Sequence, residues 1–127
     1  MLPPKAIASL LMFALSIPAA AGSDDAWGYT IGQIRIEQQA NFCNTEKAID
    51  ELAAIFQRFG PQTGFSALAS SPDCALKVHS FTPIALKNAI QIKLESGDYY
   101  TINTIRVELQ NGRTLYLLTT RDLQQVN

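Results

Sequence analysis

The chain has 127 residues, of which 47% are hydrophobic, and it carries ten Lys and Arg against eleven Asp and Glu. A length of this order predicts one domain with a modest core. The balanced charge offers no basis for binding nucleic acid or an anionic membrane surface, since both select proteins with clustered positive charge.

Residues 1–21 have the three parts of a secretory signal peptide. Lys5 supplies the positive start, residues 6–17 form an apolar run, and Ala19 and Ala21 are the small residues expected before a cleavage site. The apolar run is shorter than the roughly 20 residues of a membrane-crossing helix. We therefore expect cleavage, no stable membrane insertion afterwards, and a periplasmic or secreted location.

The exported part is predicted to be a single α+β domain over residues 29–127. Residues 22–28 lack a hydrophobic period, which predicts a flexible lead-in. Both cysteines, Cys43 and Cys74, lie in the exported part. Because an oxidising compartment favours their pairing, we expect one disulfide.

The first strand is predicted from Tyr29 to Gln38. Ile34 and Ile36 share one face there, and Arg35 lies on the other. Gly32 predicts a bulge or a bend within this stretch.

An amphipathic helix is predicted over residues 45–59. The residues 44–46 supply a capping side chain and an acid beside the positive end of the helix dipole. Gly60 followed by Pro61 predicts the end of the helix. Its apolar positions recur at steps of three and four and should dock on a sheet; they are Ala48, Ile49, Leu52, Ile55, Phe56 and Phe59.

Residues 61–74 are mostly turn-forming and small residues, with two large apolar side chains among them. This composition predicts a loop with about one helical turn. A second strand is predicted over 75–81. Leu76 and Val78 lie on one face of it, opposite Lys77 and His79.

Three clearer strands follow, at 90–95, 105–110 and 113–119. Residues 96–98 predict the first turn between them. Asn111-Gly112 predicts a two-residue type I′ hairpin turn, because both residues tolerate positive φ.

In the last strand Leu115 and Leu117 are predicted to face the core, with Tyr116 and Leu118 on the other side. The tail, residues 121–127, is predicted to form one helical turn. One amphipathic helix with a few short antiparallel strands predicts an α+β fold in which the helix closes one side of a small curled sheet or half-open barrel.

The sequence has few combinations of residues that could form a catalytic or metal-binding site. His79 is the one histidine, and a zinc site needs three or four Cys, His or carboxylate ligands. No serine has the glycine-flanked elbow of a nucleophile, and no glycine-rich loop is present to hold phosphates. We therefore predict a non-enzymatic protein without metal or cofactor.

A binding surface is predicted from exposed aromatic and arginine side chains. Tyr99, Tyr100 and Tyr116 offer contact area, and Arg113 and Arg121 flank the strand that carries Tyr116. Tyrosine beside arginine suits a carboxylate-bearing peptide or a protein partner. The alternative is that the tyrosines close the ends of the barrel, with buried rings and wet hydroxyls.

The order of these parts resembles a known group. The chain contains four features in this order: a cysteine at the start of a helix (Cys43-Asn44-Thr45-Glu46), a second cysteine after a loop (Cys74), a Thr82-Pro83 step and a final strand segment from Asn111 to Tyr116. The order resembles small exported bacterial proteins of uncharacterised function, in which a disulfide-tied helix precedes an SH3-like β-barrel. The resemblance covers residues 40–120 and implies that fold and a periplasmic location, with no established activity.

Three functional hypotheses follow. The first is a periplasmic or secreted binding module for an envelope protein or a cell-wall peptide. The second is an inhibitor of a secreted hydrolase such as a lysozyme, which would use the predicted loop at 61–73. The third is a small hydrolase that uses His79.

Overall fold

The computed structural model describes residues 28–125, so the predicted signal peptide and all but Gly28 of the predicted lead-in lie outside the described residues. The chain in this range is an α+β fold, as the sequence predicts, and it consists of one kinked helix packed on an antiparallel four-strand sheet. Its elements are β1 (Tyr29–Thr30), β2 (Arg35–Cys43), α1 (Glu46–Ser70), β3 (Cys74–Lys93), β4 (Tyr99–Leu109), β5 (Thr114–Thr119) and β6 (Leu123–Gln124).

The four long strands form a closed barrel in the order β2-β3-β4-β5, where a half-open barrel was predicted. Closure depends on three antiparallel pairs between residues 41–43 of β2 and 116–118 of β5. The tail prediction is wrong for the described residues, because Leu123–Gln124 forms a strand rather than a helical turn. This strand pairs in parallel with Tyr29–Thr30.

Strand β3 merges two strands that the sequence predicts separately, at 75–81 and 90–95. It runs for 20 residues and pairs with β2 through its first half and with β4 through its second half. The pairing with β4 shifts register between Pro83 and Ala85 and again between Leu86 and Asn88. These irregularities interrupt the alternation of apolar residues, which explains why the sequence pattern breaks there.

The β4–β5 hairpin has a three-residue loop rather than the predicted two-residue type I′ turn. The Leu109 N–H donates to the Arg113 carbonyl at 2.8 Å, and the Gly112 N–H donates to the Leu109 carbonyl at 2.9 Å. Gly112 has φ 88°, whereas Asn111 does not have the positive φ that a type I′ turn requires. Gly97 takes the same position, with φ 95°, in the β3–β4 turn.

Helix α1 starts within one residue of the predicted position, but its predicted end at Gly60 is a kink, beyond which the helix continues. The Thr45 hydroxyl accepts a hydrogen bond from the Ala48 N–H at 3.1 Å, which caps the first turn. Gly60 has φ 87° and ψ −179°, and beyond it residues 61–70 form a second helical segment, so the predicted loop over 61–74 is wrong.

The second segment exists because it packs on the first. Gly64 is buried against Phe56, and a Cβ atom at Gly64 would lie 2.3 Å from the ring. Phe65 meets the same ring edge-on, with the ring centroids 4.9 Å apart. These contacts join residues eight and nine positions apart, across a break in the helix. The helix propensities of residues 61–70 therefore do not reveal them.

The sheet separates two hydrophobic cores. One lies between α1 and the strands and includes Ile49, Leu52, Phe56, Ile102 and Leu118. The other fills the barrel and is built from Tyr29, Phe42, Phe81, Ile105, Val107, Leu115 and Leu117. The prediction that Leu115 and Leu117 face the core is confirmed, and the opposite face of β5 is covered by the helix.

The pattern of burial on β2 is the reverse of what the apolar residues alone indicate. Ile34 and Ile36 are exposed, whereas Arg35 is only 2% exposed. The Arg35 guanidinium lies 4.8 Å from the ring centroid of Tyr29 and donates to the Gly28 carbonyl at 2.7 Å. Stacking on the ring and hydrogen bonds to the Gly28 carbonyl and the Gln38 side chain offset the desolvation cost of burying this cation.

Phe59 is a further correction. The helical period places it on the same stripe as Phe56, yet its side chain is 65% exposed while that of Phe56 is 1% exposed. Phe59 lies next to the break at Gly60, where the helix axis changes direction and the stripe leaves the sheet.

The predicted disulfide between Cys43 and Cys74 is confirmed. The two residues are directly opposed at the ends of β2 and β3, with their Cα atoms 4.0 Å apart. Helix α1 lies entirely within the loop that the bridge closes. The disulfide therefore fastens the base of a β-hairpin whose long connection is the helix.

Candidate functional site: a basic mouth of the barrel

One end of the barrel is lined by basic side chains. Alternate residues of a strand share a face, so Lys77 and His79 lie on the same face of β3 as Phe81, which is in the barrel core. In the same way Arg113 shares the face of Leu115. We call the cleft that these residues enclose the basic mouth.

The basic mouth has an apolar floor and a polar rim. Its cavity has a volume of about 110 Å³. Phe42 and Leu115 form the floor, and both belong to the barrel core. The lining also includes Asn44, Pro72, Asp73, Cys74, Ala75, Lys77, His79 and Arg113.

The environment of His79 shows that the mouth is electropositive. Burial lowers the pKa of His79, and the charges of Lys77 and Arg113 lower it further. The imidazole also meets the Phe42 ring edge-on, with the centroids 4.8 Å apart. His79 is therefore neutral at pH 7, and the positive charge of the mouth comes from Lys77 and Arg113.

Arg113 is held at the rim by the segment that precedes the helix. Its Nη2 donates to the Asn44 side-chain oxygen at 3.2 Å, and the Asn44 N–H donates to the Asp73 carbonyl at 2.8 Å. Asn44 is the one side chain among residues 28–125 that accepts from this guanidinium. Since a guanidinium has five donors, most remain for a ligand.

This arrangement suits a small anion. A guanidinium offers a planar pair of donors that matches a carboxylate or a phosphate, and an ammonium adds a point charge. Asp73 is the acid in the lining, and it limits the net positive charge. No group of three His, Cys, Asp or Glu side chains within residues 28–125 is placed to hold a metal ion.

The five residues predicted to form a binding surface do not converge. Arg113 is at the basic mouth, whereas Arg121 lies at the Tyr29 ring, 5.4 Å from its centroid. Tyr99 is 58% exposed at the start of β4. Tyr100 and Tyr116 pack against the core beneath the helix.

Tyr116 takes part in a contact that joins the helix to the barrel. Lys87 Nζ lies 5.6 Å from the Tyr116 ring centroid and 3.3 Å from Asp50 Oδ1, and it also donates to Glu46. The hydrogen bond from Lys87 holds the pKa of Glu46 below its usual value, and the same bond raises the pKa of Lys87. In this position Tyr116 supports packing.

Lys77 and His79 are site residues that the sequence analysis did not assign to binding. Their spacing in the sequence could have indicated this role. Each lies an even number of residues before Phe81 in one strand and therefore on the same face as Phe81. That signal becomes usable only when Phe81 is known to lie inside the barrel. Their proximity to Arg113, more than thirty residues away, is a property of the closed barrel.

Comparison of the chain with protein-family models, with curated proteins and with solved structures finds no match. Within residues 28–125, α1 lacks the apolar character that a membrane-spanning helix requires.

We expect Lys77→Gln and Arg113→Gln each to raise the pKa of His79, because each removes a charge that disfavours the imidazolium. Neither should restore the ordinary pKa, since burial remains the largest cause. The Cε1 proton of His79 gives one NMR signal, because the chain has one histidine. Arg58→Gln, on the exposed surface of α1, serves as the control and should leave the pKa unchanged. Equal titration curves for all three variants would show that the two cations do not act on the ring.

Proposed function

We propose that this protein is a non-enzymatic binding module of the periplasm or of the secreted space. It recognises a carboxylate on an envelope protein or a cell-wall peptide at the basic mouth. The observation that carries the proposal is the convergence of Lys77, His79 and Arg113 over an apolar floor. The signal-peptide pattern supports export, and the Cys43–Cys74 disulfide is consistent with an oxidising compartment.

We further propose that the barrel is of the SH3-like type. The support is its small size, its antiparallel strands and the long, irregular β3, which pairs with both neighbours. A short barrel with open ends leaves a concave surface at each end, and the basic mouth is one such surface.

Neither alternative function has a specific observation in its favour. The inhibitor hypothesis relies on a long protruding loop at 61–73, and residues 61–70 of that stretch are helical. The hydrolase hypothesis needs a nucleophile beside His79. The mouth is lined by no serine, and its cysteine, Cys74, is held in the disulfide. Ser80 follows His79 on the strand, and its hydroxyl accepts a hydrogen bond from the Glu37 N–H.

The proposal is tested by sedimentation with purified peptidoglycan and by pull-down from an envelope extract. Wild type, Arg113→Gln and Arg58→Gln are compared, since both substitutions remove one exposed positive charge. We expect Arg113→Gln to reduce the retained fraction about tenfold and Arg58→Gln to leave it unchanged. Retention in neither assay, or equal retention by the three proteins, would contradict a carboxylate site at the mouth.

A further inference from the structure

The first half of β3 has an unpaired edge. β2 pairs with β3 along residues 74–81, on one side. On the other side β4 reaches only as far as Leu109, which is paired with Phe81. Residues 75–80 therefore extend past the end of β4, and no strand within residues 28–125 pairs with them there.

The hydrogen bonds between β2 and β3 show which backbone N–H and C=O groups of β3 remain for the open edge. The Asn44 N–H donates to the Asp73 carbonyl at 2.8 Å, so this pair is hydrogen-bonded. The next pair, Cys43 and Cys74, has Cα atoms 4.0 Å apart, as in a pair without mutual hydrogen bonds. Such pairs alternate along antiparallel strands.

It follows that Ala75, Lys77 and His79 direct their N–H and C=O groups toward β2. Leu76 and Val78 direct theirs away from β2, and by the same alternation so does Ser80. A row of backbone donors and acceptors is thus presented on the open edge, and an edge of this kind is a template for another strand.

Space for another strand lies beside the edge. A cavity of about 350 Å³ separates β3 from the β4–β5 turn, and we call it the edge slot. It is lined by Val78, His79, Ser80, Leu109, Gln110 and Asn111. His79 lines both the edge slot and the basic mouth, so the two cavities are neighbours.

We propose that an extended peptide adds as a strand to the edge at residues 75–80 and places its C-terminal carboxylate in the basic mouth. This inference rests on the proposed function and specifies its ligand as a free peptide C-terminus. Main-chain hydrogen bonds in such complexes supply affinity, and the end group and alternate side chains supply specificity.

The small size of the mouth favours a chain end over an internal acidic residue. The mouth holds about 110 Å³ and is bounded by Arg113, Asn44 and the disulfide. A cavity of roughly 150 Å³ accommodates one benzene-sized group, so the mouth suits a carboxylate with a small side chain and leaves little room for a chain to continue. Its charge is complementary to a carboxylate.

The side chains of β3 also suit an added strand. Leu76 is 60% exposed and Val78 is 55% exposed on the outer face. A strand beside them would cover both with its own outward side chains, and its inward side chains would meet Lys77 and His79. Six residues of edge span about 20 Å, so a hexapeptide matches the length.

The test uses acetyl-Ala-Val-Thr-Val-Thr-Val as the free acid and as the C-terminal amide, titrated into the ¹⁵N-labelled full chain. We expect the free acid to shift the amide signals of Leu76, Val78 and Ser80 more than those of Lys77 and His79. The signal of Arg113 should also shift. The amide form should bind at least tenfold more weakly.

Two N-methylated versions of the free acid provide the matched control. Each carries methyl groups on one of the two alternating sets of peptide nitrogens. Because only one set faces the edge, one version should bind at least tenfold more weakly and the other should bind like the parent.

Each outcome distinguishes the two proposals. If the free acid shifts Arg113 but both methylated versions bind equally, strand addition is wrong and the carboxylate site stands. If the acid and the amide bind equally well, recognition of the chain end is wrong. If no signal moves at about 5 mM peptide, a concentration above the roughly 1 mM Kd of a weak complex, strand addition is rejected. Sedimentation with Arg113→Gln then decides the proposed function separately.

Discussion

Replacing both Cys43 and Cys74 by serine is expected to lower the free energy of unfolding by about 3 to 4 kcal/mol. The bridge spans a sequence separation of 31, and closing a loop of that length restricts the unfolded chain by this amount. The loss is a large share of the roughly 5 to 15 kcal/mol that stabilises a typical domain. For a domain of about 100 residues it corresponds to a melting temperature lower by about 15 °C.

The measurement is thermal and urea unfolding, followed by circular dichroism, with and without a reductant. Reduced wild type should lose most of the stability that the double variant loses, and the double variant should not respond to the reductant. If reduction of both thiols is verified and the wild-type melting curve does not change, the bridge does not stabilise the fold. Because Cys43 is fully buried, the serine hydroxyl adds a desolvation cost of its own in the double variant, so the reduced wild type gives the direct measure of the bridge.

Phe56→Ala is expected to lower the free energy of unfolding by about 3 to 5 kcal/mol. The Phe56 side chain is 1% exposed and touches both the second helical segment, at Gly64, and the ring of Phe65. Its removal leaves a cavity between the two segments of α1 and the sheet. Urea unfolding, with the slope compared between variants, measures the loss.

Phe59→Ala is the matched control on the same helix. Its ring is 65% exposed, so we expect a change within about 0.5 kcal/mol. Equal destabilisation by the two substitutions would contradict the exposure of Phe59 and the burial of Phe56. The pair therefore tests the main departure of the helix from its sequence pattern.

Local signals predicted the start of the helix and the residue at which its first segment ends, although they predicted the end of the whole helix there. Thr45 caps the first turn, and Gly60 takes a positive φ that ends regular helix at that residue. Both features depend on backbone and side-chain groups within four residues of each other, which is why the sequence reveals them. The continuation over 61–70 depends on Gly64 meeting Phe56, and the sequence does not show that contact.

The candidate site likewise contains one residue that the sequence predicted and others that only the tertiary structure reveals. Arg113 was predicted as a binding residue from its neighbours on the last strand, and it lies at the basic mouth. Lys77 and His79 lie there too, because β3 bends and closes the barrel. The other predicted residues, such as Arg121 at the Tyr29 ring, are directed elsewhere by packing.

The sequence by itself determined the α+β class, the disulfide pair, the capped helix and the two faces of each strand, since these follow from composition and short-range spacing. Only the tertiary structure decided which face is buried. A period of two separates Ile34 and Ile36 from Arg35, but it carries no information about what lies opposite. The ring of Tyr29 and the carbonyl of Gly28 lie opposite Arg35, so the cation is buried and the isoleucines are exposed. In the same way the closed barrel, rather than the local pattern, brings Lys77, His79 and Arg113 together at one mouth.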